Sequence, residues 1–331
     1  MAEQLTAQQR AQLFAMSTRQ NYQMLAKQVA NTVPQQLQFN LPKARLLSGL
    51  YVHLKATFGE DISAKVTPDK VANIIRRISL DLNNGFAPFV VSGEQLRMYN
   101  VIDLYAKNMK ENLFAKVDGT KAELKMFLPC TTNPRDPIGL ILLQNDQTNV
   151  TLSIDLGLGT EIGATADPTK VEVNVMAETF SIPANANAYP DLSVLKMVNG
   201  RKDSLATEGQ QVIKLTTGQI YRKLLFMVVD EDGTPMTTDD ITSNIELVFN
   251  QADINYSISA EMLRFVNEKQ FGTALPDGMY AFDFSSGGGL TNLGGTRDYI
   301  DSANLTEFWL RFTTTKRGKV VLVSETIARL Q

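Results

Sequence analysis

Ser92-Gly93-Glu94-Gln95-Leu96-Arg97-Met98-Tyr99-Asn100 returns about half a chain later as Ser259-Ala260-Glu261-Met262-Leu263-Arg264-Phe265-Val266-Asn267, with five of nine positions identical. Each stretch reads as the start of a helix. Serine is a good N-cap, the glutamate two places on sits where a carboxylate favours the helix dipole, and Leu-Arg-Met/Phe begins a periodic apolar face. A short helix repeated once predicts a fold repeated once.

Three weaker echoes follow the same order. Val71-Ala72-Asn73-Ile74-Ile75 with Ser79-Leu80-Asp81-Leu82-Asn83 matches Thr242-Ser243-Asn244-Ile245-Glu246 with Leu247-Val248-Phe249-Asn250. Asn149-Val150-Thr151-Leu152-Ser153-Ile154 matches Asn304-Leu305-Thr306-Glu307-Phe308-Trp309-Leu310. Lys170-Val171-Glu172-Val173-Asn174-Val175, ending in Glu178-Thr179, matches Lys319-Val320-Val321-Leu322-Val323, ending in Glu325-Thr326. The separation between partners shrinks toward the C-terminus, as shorter loops in the second half would produce. Four matches in one order imply a duplicated domain.

The 331 residues suffice for two halves that each bury a core. An apolar share of 44% and a charged share of 20% describe an ordinary globular chain. The net charge of -3 gives no general attraction for nucleic acid. Cys130 is the only cysteine, which excludes an intrachain disulfide and makes synthesis in a cytoplasm the simpler expectation. The sequence opens without the pattern of a secretory signal. Its longest uninterrupted apolar run, 224–229, is far below the roughly 20 residues of a spanning helix.

Residues 1–34 differ from the rest. Thr6-Ala7-Gln8-Gln9 has the form of a capping box, and neither Gly nor Pro interrupts the chain until Pro34. That predicts a helix of about 26 residues, roughly 39 Å long. Arg10, Arg19, Lys27, Lys43 and Arg45 against Glu3 give the first 45 residues a net charge of +4. A basic, weakly amphipathic helix suits an anionic membrane face or acidic partner; packing across its own domain or a neighbouring subunit fits the same residues.

Period two then takes over. Leu50, Val52, Leu54, Ala56 and Phe58 alternate with Tyr51, His53, Lys55 and Thr57, and 71–82 is a second strand candidate, closed by an Asn83-Asn84-Gly85 turn. After the Ser92 helix, read as running to about Asn108, strands are expected at 122–128, 138–144, 149–156 and 170–180. Residues 182–192, with Pro183 and Pro190, have neither period and are read as a link. Strands resume at 211–215, 221–229, 245–250, 279–284, 305–313 and 320–327, with the Ser259 helix between the third and fourth of these and a loop tip at 287–295. Short strands with one helical interruption per half indicate an all-β fold of two tandem jelly-roll sandwiches. The domains expected are an N-terminal helix at 1–34, a first roll at 35–181, a linker at 182–192 and a second roll at 193–331.

Catalytic inventory is thin. His53 is the only histidine, so neither a two-histidine metal site nor a histidine-rich triad variant is available. Gly157-Leu158-Gly159-Thr160-Glu161-Ile162-Gly163 is one residue too long for a dinucleotide loop and leads to Ala-Asp-Pro, so a strand connection is expected. Asp230-Glu231-Asp232-Gly233 lacks the order of an EF-hand and reads as a turn. Asp239-Asp240 and Asp298 with Asp301 are the carboxylate pairs that glycoside chemistry would need. No enzyme activity, cofactor or metal is expected.

Three pieces carry a family likeness. The opening Glu3-Gln4-Leu5-Thr6-Ala7-Gln8-Gln9-Arg10-Ala11, the strand Leu47-Ser48-Gly49-Leu50-Tyr51-Val52-His53-Leu54-Lys55-Ala56-Thr57 with its successor Ala72-Asn73-Ile74-Ile75-Arg76-Arg77-Ile78, and the late turn Leu275-Pro276-Asp277-Gly278-Met279-Tyr280 resemble double jelly-roll major capsid proteins, in particular those of tectivirus-like bacteriophages with an internal membrane. The resemblance implies homotrimers whose six rolls form pseudo-hexameric capsomers of an icosahedral shell. It also implies neighbouring capsomers, minor capsid and vertex proteins as partners, and residence in the virion. The N-terminal helix would then lie at the capsid base beside the viral membrane, with Arg10, Leu13, Phe14, Arg19 and Lys27 as its contacts and no specific nucleic-acid partner. The loops are short for the family, so tall surface towers are not expected.

The alternative reading is a carbohydrate-binding or adhesion protein of two jelly rolls, which calls for aromatic residues on one exposed face. Trp309, alternating with Phe308 and Leu310, fits core packing better. A carboxylate-based lyase or glycosidase comes third.

Overall fold

The structure, a computed structural model, describes residues 6–83, 85–103, 114–132, 137–145, 147–250, 253–285 and 298–329. The first half comprises α1 (Ala7–Ser17), β1 (Gln20–Met24), β2 (Gln28–Ala30), β3 (Gln35–Asn40), β4 (Leu46–Thr57), β5 (Ile75–Leu82), β6 (Phe86–Val91), α2 (Gly93–Asp103), β7 (Ala115–Asp118), β8 (Lys121–Pro129), β9 (Ile141–Leu142), β10 (Val150–Leu156) and β11 (Lys170–Phe180). The second half comprises β12 (Val194–Leu205), β13 (Gly209–Lys214), β14 (Ile220–Asp230), β15 (Ile245–Phe249), β16 (Asp253–Ile258), α3 (Ala260–Phe271), β17 (Met279–Asp283), β18 (Ile300–Asp301), β19 (Phe308–Thr314) and β20 (Gly318–Arg329).

Sheet order is the same in both halves. The first pairs β1-β11-β4-β8 in one sheet and β6-β5-β10-β3 in the other; the second pairs β12-β20-β14-β17 and β16-β15-β19-β13. Alternating strands such as β11 and β19 send every second side chain inward, Val171, Val173 and Val175 in one roll and Phe308, Leu310 and Phe312 in the other. The molecule is a double jelly roll.

Local detail repeats with the topology. β11 against β4 and β20 against β14 each carry a register shift at the echoed Glu-Thr pair, between Glu178 and Thr179 and opposite Glu325 and Thr326. Asn83 and Asn250 both hold positive φ, 54° and 48°, which asparagine tolerates better than most residues. Each asparagine also accepts a backbone N–H on its side chain, from Asn149 and Thr306 at 2.9 Å. That contact makes β19 the counterpart of β10, with Thr306 in the place of Asn149, two residues away from the register the Asn149/Asn304 echo suggests.

The rolls join through β6 and β12, which pair in parallel with Phe89 opposite Val198 and Val90 opposite Asn199. One sheet of nine strands therefore runs through both halves. Val320, Val321, Leu322 and Val323 on β20 are all buried, because one face packs into the second roll and the other toward the first.

The N-terminal stretch departs from the sequence expectation. The Thr6 capping box forms as read, but α1 closes at Ser17 instead of continuing toward residue 32. Ser17 and Thr18 hydroxyls donate to the Leu13 and Phe14 carbonyls at 2.7 Å and satisfy the last turn. Gln20–Met24 then gains a full ladder against β11, and Gln28–Ala30 a shorter one. A diluted apolar stripe cannot compete with an edge that supplies partners for every second backbone group. The first roll thus takes its edge strand from residues read as helix.

Other differences are smaller. Pro68–Ile74 forms a 3-10 turn, so the strand read at 71–82 starts at Ile75. The strand read at 138–144 shortens to Ile141–Leu142. β12 is disguised in the sequence by Lys196, Arg201, Lys202 and Asp203, and β16 is a further strand where none is expected from the sequence. The link contains only a 3-10 turn at Ala186–Ala188. The far end of the Ser92 helix and the loop tip at 287–295 lie outside the described residues.

Candidate functional site

The joint between the rolls is built by α2. The Ser92 side chain accepts from the Gln95 N–H at 3.3 Å while Gln95 Oε1 accepts from the Ser92 N–H at 2.7 Å, so a reciprocal cap fixes the helix start. From there Gln95 Nε2 donates to the Arg201 carbonyl at 3.0 Å, and Glu94 pairs with Lys202 at 2.6 Å. One turn on, Tyr99 donates its hydroxyl to Glu325.

Glu325 sits in a buried charged cluster. Lys223 lies 3.5 Å and Arg222 3.6 Å from its carboxylate, and Lys196 reaches the Tyr99 hydroxyl at 3.2 Å. All five residues are at most 5% exposed. Burial by itself would raise the Glu325 pKa; Lys223, Lys196, Arg222 and the Tyr99 hydroxyl overcome it and hold the carboxyl at about 2. Lys196 and Lys223 also lie over the Tyr99 ring, 5.5 and 5.7 Å from its centroid. The four charged residues belong to the second roll and the Tyr99 hydroxyl of the first roll bonds to two of them, so docking of α2 buries the cluster and adds to its hydrogen bonding.

The Glu325-Thr326 echo is visible in the sequence, but its place at the joint is not. The signal that could have found the joint is charge inside apolar strands: Lys196 within Val194–Val198, and Arg222-Lys223 before Leu224-Leu225-Phe226.

The residues expected as base contacts do not share one helical face. Phe14 is buried, edge-on to Phe180 at 5.5 Å and clustered with Leu46 and Leu140, so it anchors α1 to the first roll. Leu13 is half-buried and Arg10 is exposed. Arg19 lies past the helix end, its backbone N–H bonded to Ser181. Lys27 pairs with Glu172 on β11 at 2.8 Å.

Other candidates have local roles. His53 faces Glu123 across β4 and β8 at 2.5 Å. Cys130 is buried, and burial pushes its thiol up to about 12, which leaves it inert as a nucleophile. Gly157-to-Gly163 forms a 3-10 connection between strands, and Asp230 caps a turn by accepting from the Asp232 and Thr234 N–H groups. Asp240 binds Thr237 and Lys316, and Asp301 caps the Ala303 N–H. Among the described residues no group of three or more His, Cys, Asp or Glu is placed to hold a metal. Trp309 is not in the core: Phe308, Leu310 and Phe312 point inward and Trp309 sits half-buried on the opposite face. A cleft of about 760 Å³ opens beside α2, lined in part by Arg97, Glu94, Arg264 and Asp277, with no tryptophan on its walls.

A tandem jelly-roll architecture with a helix at the same place in each roll defines the fold class, and comparison with solved structures agrees. The chain is similar to the major capsid protein STIV MCP (14% identity, 94% of this chain and 97% of that one, TM-score 0.68). It is also similar to VP54 of PBCV-1 (11%, 95% and 95%, 0.71) and to the major capsid protein P2 of bacteriophage PM2 (11%, 95% and 98%, 0.61). These identities establish a shared fold. No family model and no curated protein matches the sequence.

Proposed function

We propose that this protein is the major capsid protein of an icosahedral virus, assembling as homotrimers whose six jelly rolls give a pseudo-hexagonal capsomer. The carrying observation is that two rolls of identical strand order sit side by side in one chain through a continuous sheet. Threefold repetition of such a pair approximates sixfold symmetry, so one product can tile a surface. The three similar proteins named above span nearly the whole chain, and two of them are major capsid proteins by name, which supports the role.

Within that reading, the tectivirus-like arrangement places α1 at the capsid base over an internal membrane. With Phe14 committed to the first roll, the outward groups available to anionic lipid are Arg10 and Arg19, each contributing about 1 kcal/mol near such a surface at low salt. Minor capsid and vertex proteins would meet the capsomer rim, and the particle would form after synthesis in the host cytoplasm.

Electron microscopy of the purified chain tests the proposal. Class averages with threefold symmetry and a hexagonal outline are expected; isolated two-lobed particles at every concentration would overturn it. Flotation with anionic vesicles tests the membrane part, with Arg10→Glu/Arg19→Glu expected to lose the binding of the parent.

A further inference from the structure

The two rolls are equivalent in fold but unequal in what covers them. In the first roll, the outer face of α2 and the edge of β6 are covered by the second roll: Met98 is 4% exposed and Tyr99 fully buried. In the second roll, the same face of α3 carries Met262, Phe265 and Val266, and Phe265 is 61% exposed. Its edge strand β16 is also open, with Ile254 and Tyr256 exposed.

The receiving surface is duplicated as well. α2 lands on a floor made by Val198 of β12, Leu225 of β14, Val323 of β20 and Ala281 of β17, all buried. Strand pairing places their counterparts in the first roll at Tyr22 of β1, Tyr51 of β4, Met176 of β11 and Phe127 of β8. Met176 pairs with Tyr51 and Tyr51 with Phe127, as Val323 pairs with Leu225 and Leu225 with Ala281. Tyr22 lies opposite Glu178 as Val198 lies opposite Glu325. These first-roll residues form an apolar platform, Tyr51 stacked on Phe127 at 4.4 Å and beside Tyr22 at 6.4 Å. Among the described residues nothing covers its β1 margin, where Tyr22 is 56% and Met24 60% exposed.

Seven of the eleven large apolar side chains exposed among the described residues therefore fall on these two surfaces, and each surface is the counterpart of one half of a joint already formed inside the chain. We infer that the second roll of one chain docks on the first roll of another copy in the manner of the internal joint, with β16 adding in parallel to β1 and α3 lying on the Tyr22–Tyr51–Met176 platform. This rests on the trimer reading above and specifies its seam.

The register follows from the internal joint. Strand β5 pairs Leu80 with Phe89 and β15 pairs Leu247 with Tyr256, so Phe89 corresponds to Tyr256. Since Phe89 faces Val198, Tyr256 faces Tyr22 of the second copy, and Ser257 faces Gln23. Among the described residues both edges lack a strand partner on that side, and a parallel ladder satisfies their backbone groups while covering the exposed aromatics. The contact is head-to-tail, the type that closes into a ring when repeated.

Paired cysteines test it. Gln23→Cys/Ser257→Cys, on two exposed positions, is expected to shift on mild oxidation from the monomer band to a covalent trimer in a denaturing non-reducing gel. Gln23→Cys/Tyr256→Cys, one residue out of register and on opposite faces, is expected to stay monomeric on that gel, and buried Cys130 adds no background. Phe265→Arg is expected to reduce the native mass to that of a monomer while leaving the circular dichroism unchanged. A native trimer that neither cross-links in Gln23→Cys/Ser257→Cys nor dissociates with Phe265→Arg overturns the seam but leaves the capsomer reading standing. Equal cross-linking of both pairs overturns the register, and a monomeric parent protein overturns seam and capsomer together.

Discussion

Asn100 and Asn267 make the same pair of hydrogen bonds in the two rolls. Asn100 Nδ2 donates to the Phe127 carbonyl at 2.6 Å and its Oδ1 accepts the Phe127 N–H at 2.9 Å; Asn267 does the same to Ala281 at 2.7 and 3.0 Å. Both side chains are essentially inaccessible to water. Each amide thus ties the helix to a strand of the facing sheet, β8 in one roll and β17 in the other, by replacing a missing ladder partner. No aliphatic side chain can supply both the donor and the acceptor.

Removing either amide strands one buried N–H and one buried carbonyl. Asn267→Ala is expected to cost about 2–4 kcal/mol, taking roughly 1–3 for each unsatisfied group with partial relaxation. Urea unfolding monitored in the second roll checks it, and Asn267→Leu is expected to recover nothing, because shape without polarity leaves the same groups unpaired.

The joint should be acid-labile. Glu325 is held at about 2 against an ordinary 4.5, so its folded value is depressed. The stability it contributes is complete above about pH 4.5 and is lost as the pH falls toward 2. Glu325→Gln is expected to destabilise by about 3–5 kcal/mol near neutrality, because Lys223, Arg222 and Lys196 lose their carboxylate. The variant should also show a flatter loss of stability in that acid window, which thermal melts from about pH 2 to about pH 6 would measure.

Gly200 faces the same joint from β12. A Cβ there would meet Gln95 Oε1 at 2.1 Å and Cδ at 2.3 Å. Gln95 has a flexible end and can swing away, but it then loses its bonds to the Ser92 N–H and the Arg201 carbonyl. Gly200→Ala is therefore expected to cost about 1–2 kcal/mol, the value of those hydrogen bonds, with no change in the cores of the two rolls. Amide exchange in α2 should rise ahead of exchange in β4.

Phe14 is the pin of the N-terminal arm. Phe14→Ala removes a buried ring packed on Phe180, Leu46 and Leu140 and is expected to weaken the docking of α1 by about 3–5 kcal/mol. Proteolysis within 6–19 should accelerate while cleavage elsewhere does not. Met16→Ala, on an 85% exposed residue, should leave the rate unchanged.

The duplication was legible because the residues that repeat are those with a fixed local role, namely the Ser N-caps, the buried asparagines and the Glu-Thr pairs at the strand bulges. Alternation exposed strands with one wet face, such as β11 and β19. It failed where neighbours decide. β1 is a strand because β11 offers an edge, and the only apolar side chains of Gln20–Met24, Tyr22 and Met24, are both exposed and too few to mark a strand on their own. β12 hides behind Lys196 and Asp203, whose charges are acceptable only in the completed joint and on its rim. The Tyr99–Glu325 pair is separated by 226 residues, a distance at which no local spacing carries a signal.

Static light scattering of the purified chain addresses the capsomer directly. The expected result is a single species near three times the 36.6 kDa chain mass, persisting on dilution and on mild heating. A species of one chain mass at every concentration would contradict it.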